Sequence, residues 1–129
     1  MNRTKIWTDG GTSMNKHPFG KGYGSYRIGE NGEVVSFDFF ENMSANAAEI
    51  STMAVALERS GSDFIDLFSD SRVALKWLKD ACAEKKLEIP SEISESMKES
   101  IAELRKAAAG KNVHGHWRPR KQIFKIFKH

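Results

Sequence analysis

In the N-terminal third of the chain apolar and polar positions alternate with the period of a half-buried strand. Lys5 to Thr8 reads as a short strand that stops at Asp9-Gly10-Gly11, where two glycines permit a tight turn or the close approach of another backbone. A polar loop from Thr12 to Lys21 contains Pro18 and Gly20. Gly22 to Ile28 then alternates as a second strand, Asn31-Gly32 offers a hairpin turn, and Glu33 to Phe40 supplies a partner strand. Three antiparallel strands are the economical arrangement of this region.

After Ser44 the period lengthens. Ile50, Met53, Ala54 and Leu57 recur at helical spacing, with Ser44 or Asn46 near the cap and Ser60-Gly61 at the close. Asp63 to Ser69 returns to strand character and ends, like the first strand, in an acid, Asp70. A second helix follows at once, burying Val73, Ala74, Trp77 and Leu78 while Lys76, Lys79 and Asp80 face water. Pro90-Ser91-Glu92 starts a third helix with Ile93, Met97, Ile101 and Leu104 as its buried stripe, ended by Gly110. Asn112 to Trp117 reads as a last strand, and Phe124, Ile126 and Phe127 beyond it interleave with lysines. Strands first, then alternating helix and strand, describe an α/β domain around a mixed sheet.

At 129 residues the chain has room for one hydrophobic core, so 1–129 is read as a single domain. Its formal net charge of +3 is too small for a polycation, but the charge is uneven. Lys111, Arg118, Arg120, Lys121, Lys125 and Lys128 crowd the C-terminal end, where no acid follows Glu103, which suits either a polyanionic partner or a solvated tail. The lone Cys82 excludes an internal disulfide framework and a cysteine-rich metal site; a small packed residue is its expected role. No apolar stretch resembles a signal peptide or approaches the ~18 residues of a bilayer span, so a cytoplasmic, membrane-free setting with no obligatory protein partner is the expectation.

Asp9 and Asp70 each terminate an expected strand. If those strands are parallel neighbours, both acids project from one sheet edge, where α/β folds collect ligands, and Glu49 can lean over the same edge from its helix. Three carboxylates repel one another unless a cation joins them, and hard oxygen ligands favour Mg²⁺ or Mn²⁺ over Zn²⁺. Two such ions ~4 Å apart would prepare a water nucleophile and stabilise the leaving oxygen of an in-line displacement. Singly, each aspartate is equally a turn or helix-cap residue.

Their joint context decides the reading. Ile6-Trp7-Thr8-Asp9-Gly10-Gly11 resembles the opening strand motif of ribonuclease H, and Pro18 to Gly24 its glycine-rich continuation. Ser44-Ala45-Asn46-Ala47-Ala48-Glu49-Ile50 is similar to the family's helix bearing the catalytic glutamate, and Phe68-Ser69-Asp70-Ser71 to its fourth strand and aspartate. The resemblance implies a five-stranded mixed sheet flanked by helices and metal-dependent cleavage of the RNA strand of RNA-DNA hybrids, leaving 5′-phosphates. It assigns Asp9, Glu49 and Asp70 as catalytic metal ligands, with two ions per site when substrate is present, and lets Glu49 sense a ribose 2′-hydroxyl. Gly11, Ser44 and Asn46 match positions that contact the hybrid, and Arg118, Arg120 and Lys121 are expected to meet phosphates without reading bases.

The chain departs from the family pattern twice. Between Trp77 and Pro90 there is no room for the basic helical handle of some members, which Lys79, Lys85 and Lys86 replace only in part. The fourth carboxylate, expected at the start of a terminal helix, is missing as well. Truncation before that acid and its helix, a site with fewer protein oxygens, and a substitute ligand among His114, His116 and His129 all stay open, His116 and His129 being the candidates for proton transfer. The alternative to an enzyme is a non-catalytic module of the same fold that binds hybrid or duplex nucleic acid.

Overall fold

The computed structural model describes residues 2–13, 20–39 and 42–127. Strand β1 (Thr4–Thr12) runs straight through Gly10 and Gly11, so these glycines make no turn and Asp9 sits inside the strand, not at its end. Strands β2 (Gly22–Ile28) and β3 (Val34–Asp38) follow as antiparallel neighbours. Their connection turns at Gly29, whose φ of 79° needs glycine, and Gly32 N–H donates to the Gly29 carbonyl. The turn is therefore longer than a two-residue Asn-Gly hairpin and shortens β3 relative to the expected Glu33–Phe40. Phe40 and Pro18 lie outside the described residues.

Helix α1 (Ala45–Ser60) begins where Ser44 Oγ accepts the Ala47 N–H at 3.1 Å and ends at Gly61 in the left-handed conformation. Strand β4 (Phe64–Ser69) and helix α2 (Arg72–Cys82) come next. Helix α3 (Glu95–Ala108) starts later than Pro90, because Ser94 is the residue that caps it, accepting the Met97 N–H. Strand β5 (Asn112–Trp117) leads into a fourth helix, α4 (Arg120–Phe127), where the sequence shows only apolar residues interleaved with lysines. The sheet order is β3-β2-β1-β4-β5, with β4 and β5 parallel to β1. No helix is long and apolar enough to cross a membrane.

Alternation divides the sheet. Ile6, Tyr26, Ile65, Leu67 and Val113 are buried on one face with Ile50, Met53 and Leu57 of α1 and Ile101 and Leu104 of α3. Burying each large aliphatic side chain stabilises by roughly 2 kcal/mol. Helix α4 lies on the other face, because Arg27, next to the inward Tyr26, donates to the Ile126 carbonyl. Two residues expected to pack inside differ: Val73 is 40% exposed, and Cys82 is exposed at the end of α2. Asp80, expected in water, is instead buried under α3, where Arg105 pairs with it.

The glycines of β1 and β2 set how close α1 can come. Gly10 and Gly24 are paired across the two strands. A Cβ on Gly10 would lie 2.9 Å from the Ala48 carbonyl oxygen and from Thr52 Oγ1, and one on Gly24 would overlap Thr52 Oγ1 outright. Thr52 cannot swing away without breaking its 2.7 Å hydrogen bond to the Ala48 carbonyl. Gly24→Ala is therefore expected to cost about 1–3 kcal/mol, the usual range for overpacking, with partial recovery when combined with Thr52→Ala. Urea unfolding of the two variants checks this; a neutral Gly24→Ala would mean the helix is free to shift.

Candidate metal centre

Glu49 is the fifth residue of α1, one step past the Ala48 carbonyl that rests on Gly10. The glycine bed thus brings the glutamate beside Asp9, Gly10's neighbour on β1. Pairing of β1 with β4 ends at Trp7 and Phe68, whereas pairing with β2 continues to Thr12. Beyond that fork β1 and β4 no longer bond to each other, and Asp9 and Asp70 lie past it on either side. Ser69 Oγ accepts the Ser71 N–H, Ser71 Oγ accepts the Ala74 N–H, and Trp117 Nε1 donates to the Asp70 carbonyl, so the backbone on both sides of Asp70 is held.

One carboxylate oxygen from each of Asp9, Glu49 and Asp70 lies within 4.8 Å of the others. The expected trio therefore converges. Burial first, then the charges of Asp9 and Asp70, push the Glu49 carboxyl up to about 9, against smaller opposing effects of the Gly10 N–H and Arg120. Burial and the Asp70 charge likewise raise Asp9. Glu49 Oε2 is buried with no hydrogen-bond partner among the described residues. An orphaned carboxylate oxygen among two further acids is costly without a cation and well suited to a hard divalent one, so the donor set fits Mg²⁺ or Mn²⁺.

These shifts have a consequence for stability. A raised carboxyl keeps in the fold a proton that the unfolded chain releases, so its contribution is complete below the ordinary carboxylate range and is lost as pH rises toward about 9. In chelator, the melting temperature is expected to fall between about pH 5 and pH 9, and Glu49→Gln is expected to flatten that fall. Divalent cation should restore stability most at the alkaline end, where no proton competes for the site. Thermal melts across this range test it; a Glu49→Gln variant as pH-sensitive as the parent would contradict it.

The other expected site residues are more dispersed. Gly11 stands against Tyr23, whose hydroxyl would be 2.6 Å from an added Cβ. Ser44 is the helix cap, and Asn46 is exposed in the first turn of α1. Arg118 is exposed, with its guanidinium over the Phe68 ring at 5.0 Å, and Lys121 is exposed on α4. Arg120, the first residue of α4, is near enough for its charge to favour ionised Asp9 and Glu49. His116 stacks on Phe68 and lies 3.0 Å by Nε2 from Asp66 Oδ1. His116 and Arg3 together hold the Asp66 carboxyl below its usual range. His114 is 59% exposed on the same face, and His129 lies outside the described residues. The role of Thr52 is not apparent from spacing, the glycine pair being its available signal; Arg120, expected to meet phosphates, has its charge close to Asp9 and Glu49 as well.

Comparison with curated proteins gave no match. Among solved structures, the chain superposes on RNase H1 from the halophilic archaeon Halobacterium salinarum NRC-1 with a TM-score of 0.71 at 19% identity, covering 95% of this chain and 90% of that one. The N-terminal RNase H domain of rv2228c from Mycobacterium tuberculosis, solved fused to maltose binding protein, gives 0.72 at 13% identity, with 95% and 86% covered. LC11-RNase H1, solved in complex with RNA/DNA hybrid, gives 0.69 at 17% identity, with 95% and 90% covered. These likenesses establish the fold, and the RNase H family model matches residues 1–119. A five-stranded mixed sheet in the order β3-β2-β1-β4-β5, carrying three clustered acids, thus agrees with that match, and the chain belongs to the RNase H family.

Proposed function

We propose that this protein is a divalent-metal-dependent endonuclease that hydrolyses the RNA strand of RNA-DNA hybrids and leaves 5′-phosphate ends. The observation that carries the reading is the buried, unpartnered Glu49 carboxylate held among Asp9 and Asp70. A protein that merely bound nucleic acid would gain nothing from mutually repelling acids beside phosphates. Asp9, Glu49 and Asp70 would hold the cations, Mg²⁺ or in its place Mn²⁺, two with substrate. When bound, the metal pair supplies a water nucleophile at neutral pH and stabilises charge on the leaving oxygen.

The chain's own residues do the positioning. Ser69 and Ser71 fix the backbone around Asp70, and the glycine bed fixes Glu49 against β1. Glu49, from α1, is assigned the further task of sensing the ribose 2′-hydroxyl, the group that separates RNA from DNA. Gly11, Ser44 and Asn46 lie along the hybrid's path in this reading. Arg118, Arg120 and Lys121 neutralise phosphates, which gives strong salt dependence and little sequence preference. His116, oriented by Asp66, and His129 are assigned to proton transfer. The hybrid-bound LC11-RNase H1 supports the choice of ligand. The proposed setting is the cytoplasm, with no obligatory protein partner.

One observation favours a second reading, a non-catalytic hybrid-binding module: the helix after the last strand opens with Arg120, where the resemblance implies a fourth acid. Cleavage of labelled hybrid, duplex DNA and duplex RNA in Mg²⁺, Mn²⁺ and chelator separates the two. Metal-dependent cutting of the hybrid's RNA strand alone is expected. Tight hybrid binding without cutting in either metal would establish the binding module instead.

A further inference from the structure

Strand β5 is the last in the sheet, and its far side has no strand partner among the described residues. Asn112 N–H donates to the Asp63 carbonyl and Arg118 N–H to the Ser69 carbonyl, both toward β4. With the two-residue period of a strand, Val113, Gly115 and Trp117 therefore turn their backbone groups outward. The Val113 N–H is close enough to the Cys82 thiol to favour its ionised form, and Arg118 Nη1 donates to the Trp117 carbonyl. The Val113 carbonyl, both Gly115 groups and the Trp117 N–H have no partner among the described residues. They line a groove of about 810 Å³ between β5 and α2, which Leu75 and Leu78 also line.

Arg72, Lys76 and Lys79 rise along this groove from one side of α2, spaced four and three residues apart. None of them forms an ion pair among the described residues, and no acid lines the groove. We propose that the outer edge of β5 and the adjoining side of α2 bind an extended acidic segment of a partner protein as a sixth strand. The backbone edge supplies hydrogen bonds, and the acids, at alternate positions of the added strand, turn to the α2 side and meet the three cations, leaving the apolar residues between them on the opposite face. Six residues of β5 offer an edge of about 20 Å, enough for a segment of similar length. A nucleic-acid strand fits less well, because the Arg72 guanidinium already covers the Trp117 ring at 4.1 Å and leaves no free stacking platform on that side. A second copy of this chain would set the same cations against each other.

The test uses the full chain and four fluorescein-labelled probes. They are an octapeptide alternating Glu and Val with a central Phe, its Lys-for-Glu counterpart, the acidic peptide N-methylated at alternate residues, and an oligothymidylate. Anisotropy is expected to show saturable binding of the acidic peptide alone, with a Kd on the order of 100 μM or tighter. The Gly115 and Trp117 amide resonances should shift on titration, and Lys76→Glu with Lys79→Glu should weaken binding about tenfold or more at an unchanged melting temperature. The N-methylated probe needs no variant and isolates the backbone hydrogen bonds. No binding of the acidic peptide up to about 1 mM, equal binding of its N-methylated form, or shifts of those amides by oligothymidylate but not by peptide would overturn the proposal.

Discussion

Asp9→Asn is expected to abolish metal-dependent cleavage of the hybrid, by about 10³-fold or more, while leaving the melting temperature in chelator no lower than the parent's. Two effects pull in opposite directions. Asp9 shares its few ångströms with Glu49 and Asp70, and burial and Asp70's charge already disfavour its ionised form. A neutral amide of the same shape relieves that repulsion, so the metal-free fold does not suffer. In the proposed function the same change removes a ligand from the cation site, and losing several kcal/mol of charge stabilisation in the transition state is worth about three or more powers of ten in rate. Single-turnover cleavage in Mg²⁺, read beside thermal melts in chelator, checks both halves. Full activity in the variant would remove Asp9 from the site.

Arg105→Ala is expected to be the most damaging substitution away from the carboxylates, costing about 3–5 kcal/mol in urea unfolding. The Asp80 side chain is fully buried, and Arg105 donates to it through Nε at 2.9 Å and Nη2 at 3.2 Å. Leu87 N–H donates to the same carboxylate, and Arg105 Nη2 also reaches the Leu87 carbonyl, so the pair ties α2, the following connection and α3 together. Burial alone would push the Asp80 carboxyl up; Arg105 and the Leu87 N–H outweigh it and hold the carboxyl below its usual range. Removing the guanidinium leaves a buried carboxylate with one backbone donor. A domain of this size has about 5–15 kcal/mol of stability in all, so this loss is a large share of it. The stabilisation is present above the ordinary carboxylate range and is lost as pH falls through the lowered value. Arg105→Lys should recover only part, since an ammonium lacks the fork that meets both oxygens. A loss under about 1 kcal/mol would show that water reaches Asp80 in the variant.

Period and capping make most of the fold legible in the sequence. Ser44 and Gly61 bound α1 where expected, and β2 and β5 begin and end as their alternation indicates. The errors fall where a neighbour distant in sequence decides. Asp80 has the composition of a solvent-facing helix position, and only Arg105, twenty-five residues on, explains its burial. Gly10-Gly11 looks locally like a turn, yet the two residues stay extended because they pair with Gly24 and Tyr23 of β2. The start of α3 moved from Pro90 to Ser94 because several residues there are equally good caps and only one accepts the helical N–H. The acids were readable because each sits in a motif. Arg120 is legible as a phosphate-facing cation of the basic end, but the helix that sets its charge beside the acids is not, because its short amphipathic run gives little periodic signal.

The fork between β1 and β4 also sets the order in which the molecule can come together. Joining β1 to β4 in register, Thr4 opposite Ile65, closes a loop that contains β2, β3 and all of α1. The β1–β2–β3 meander needs only short closures and can form ahead of it, so the long closure carries the larger entropy cost. Asp9, Glu49 and Asp70 belong respectively to the meander, the helix inside the loop and the strand that seals it. No partly folded chain lacking that last closure holds the complete trio, and a nascent chain cannot bind a divalent ion through all three acids until β4 has docked. The cation affinity proposed for the trio is thereby a property of the finished fold, acquired in the same step that completes the sheet's centre.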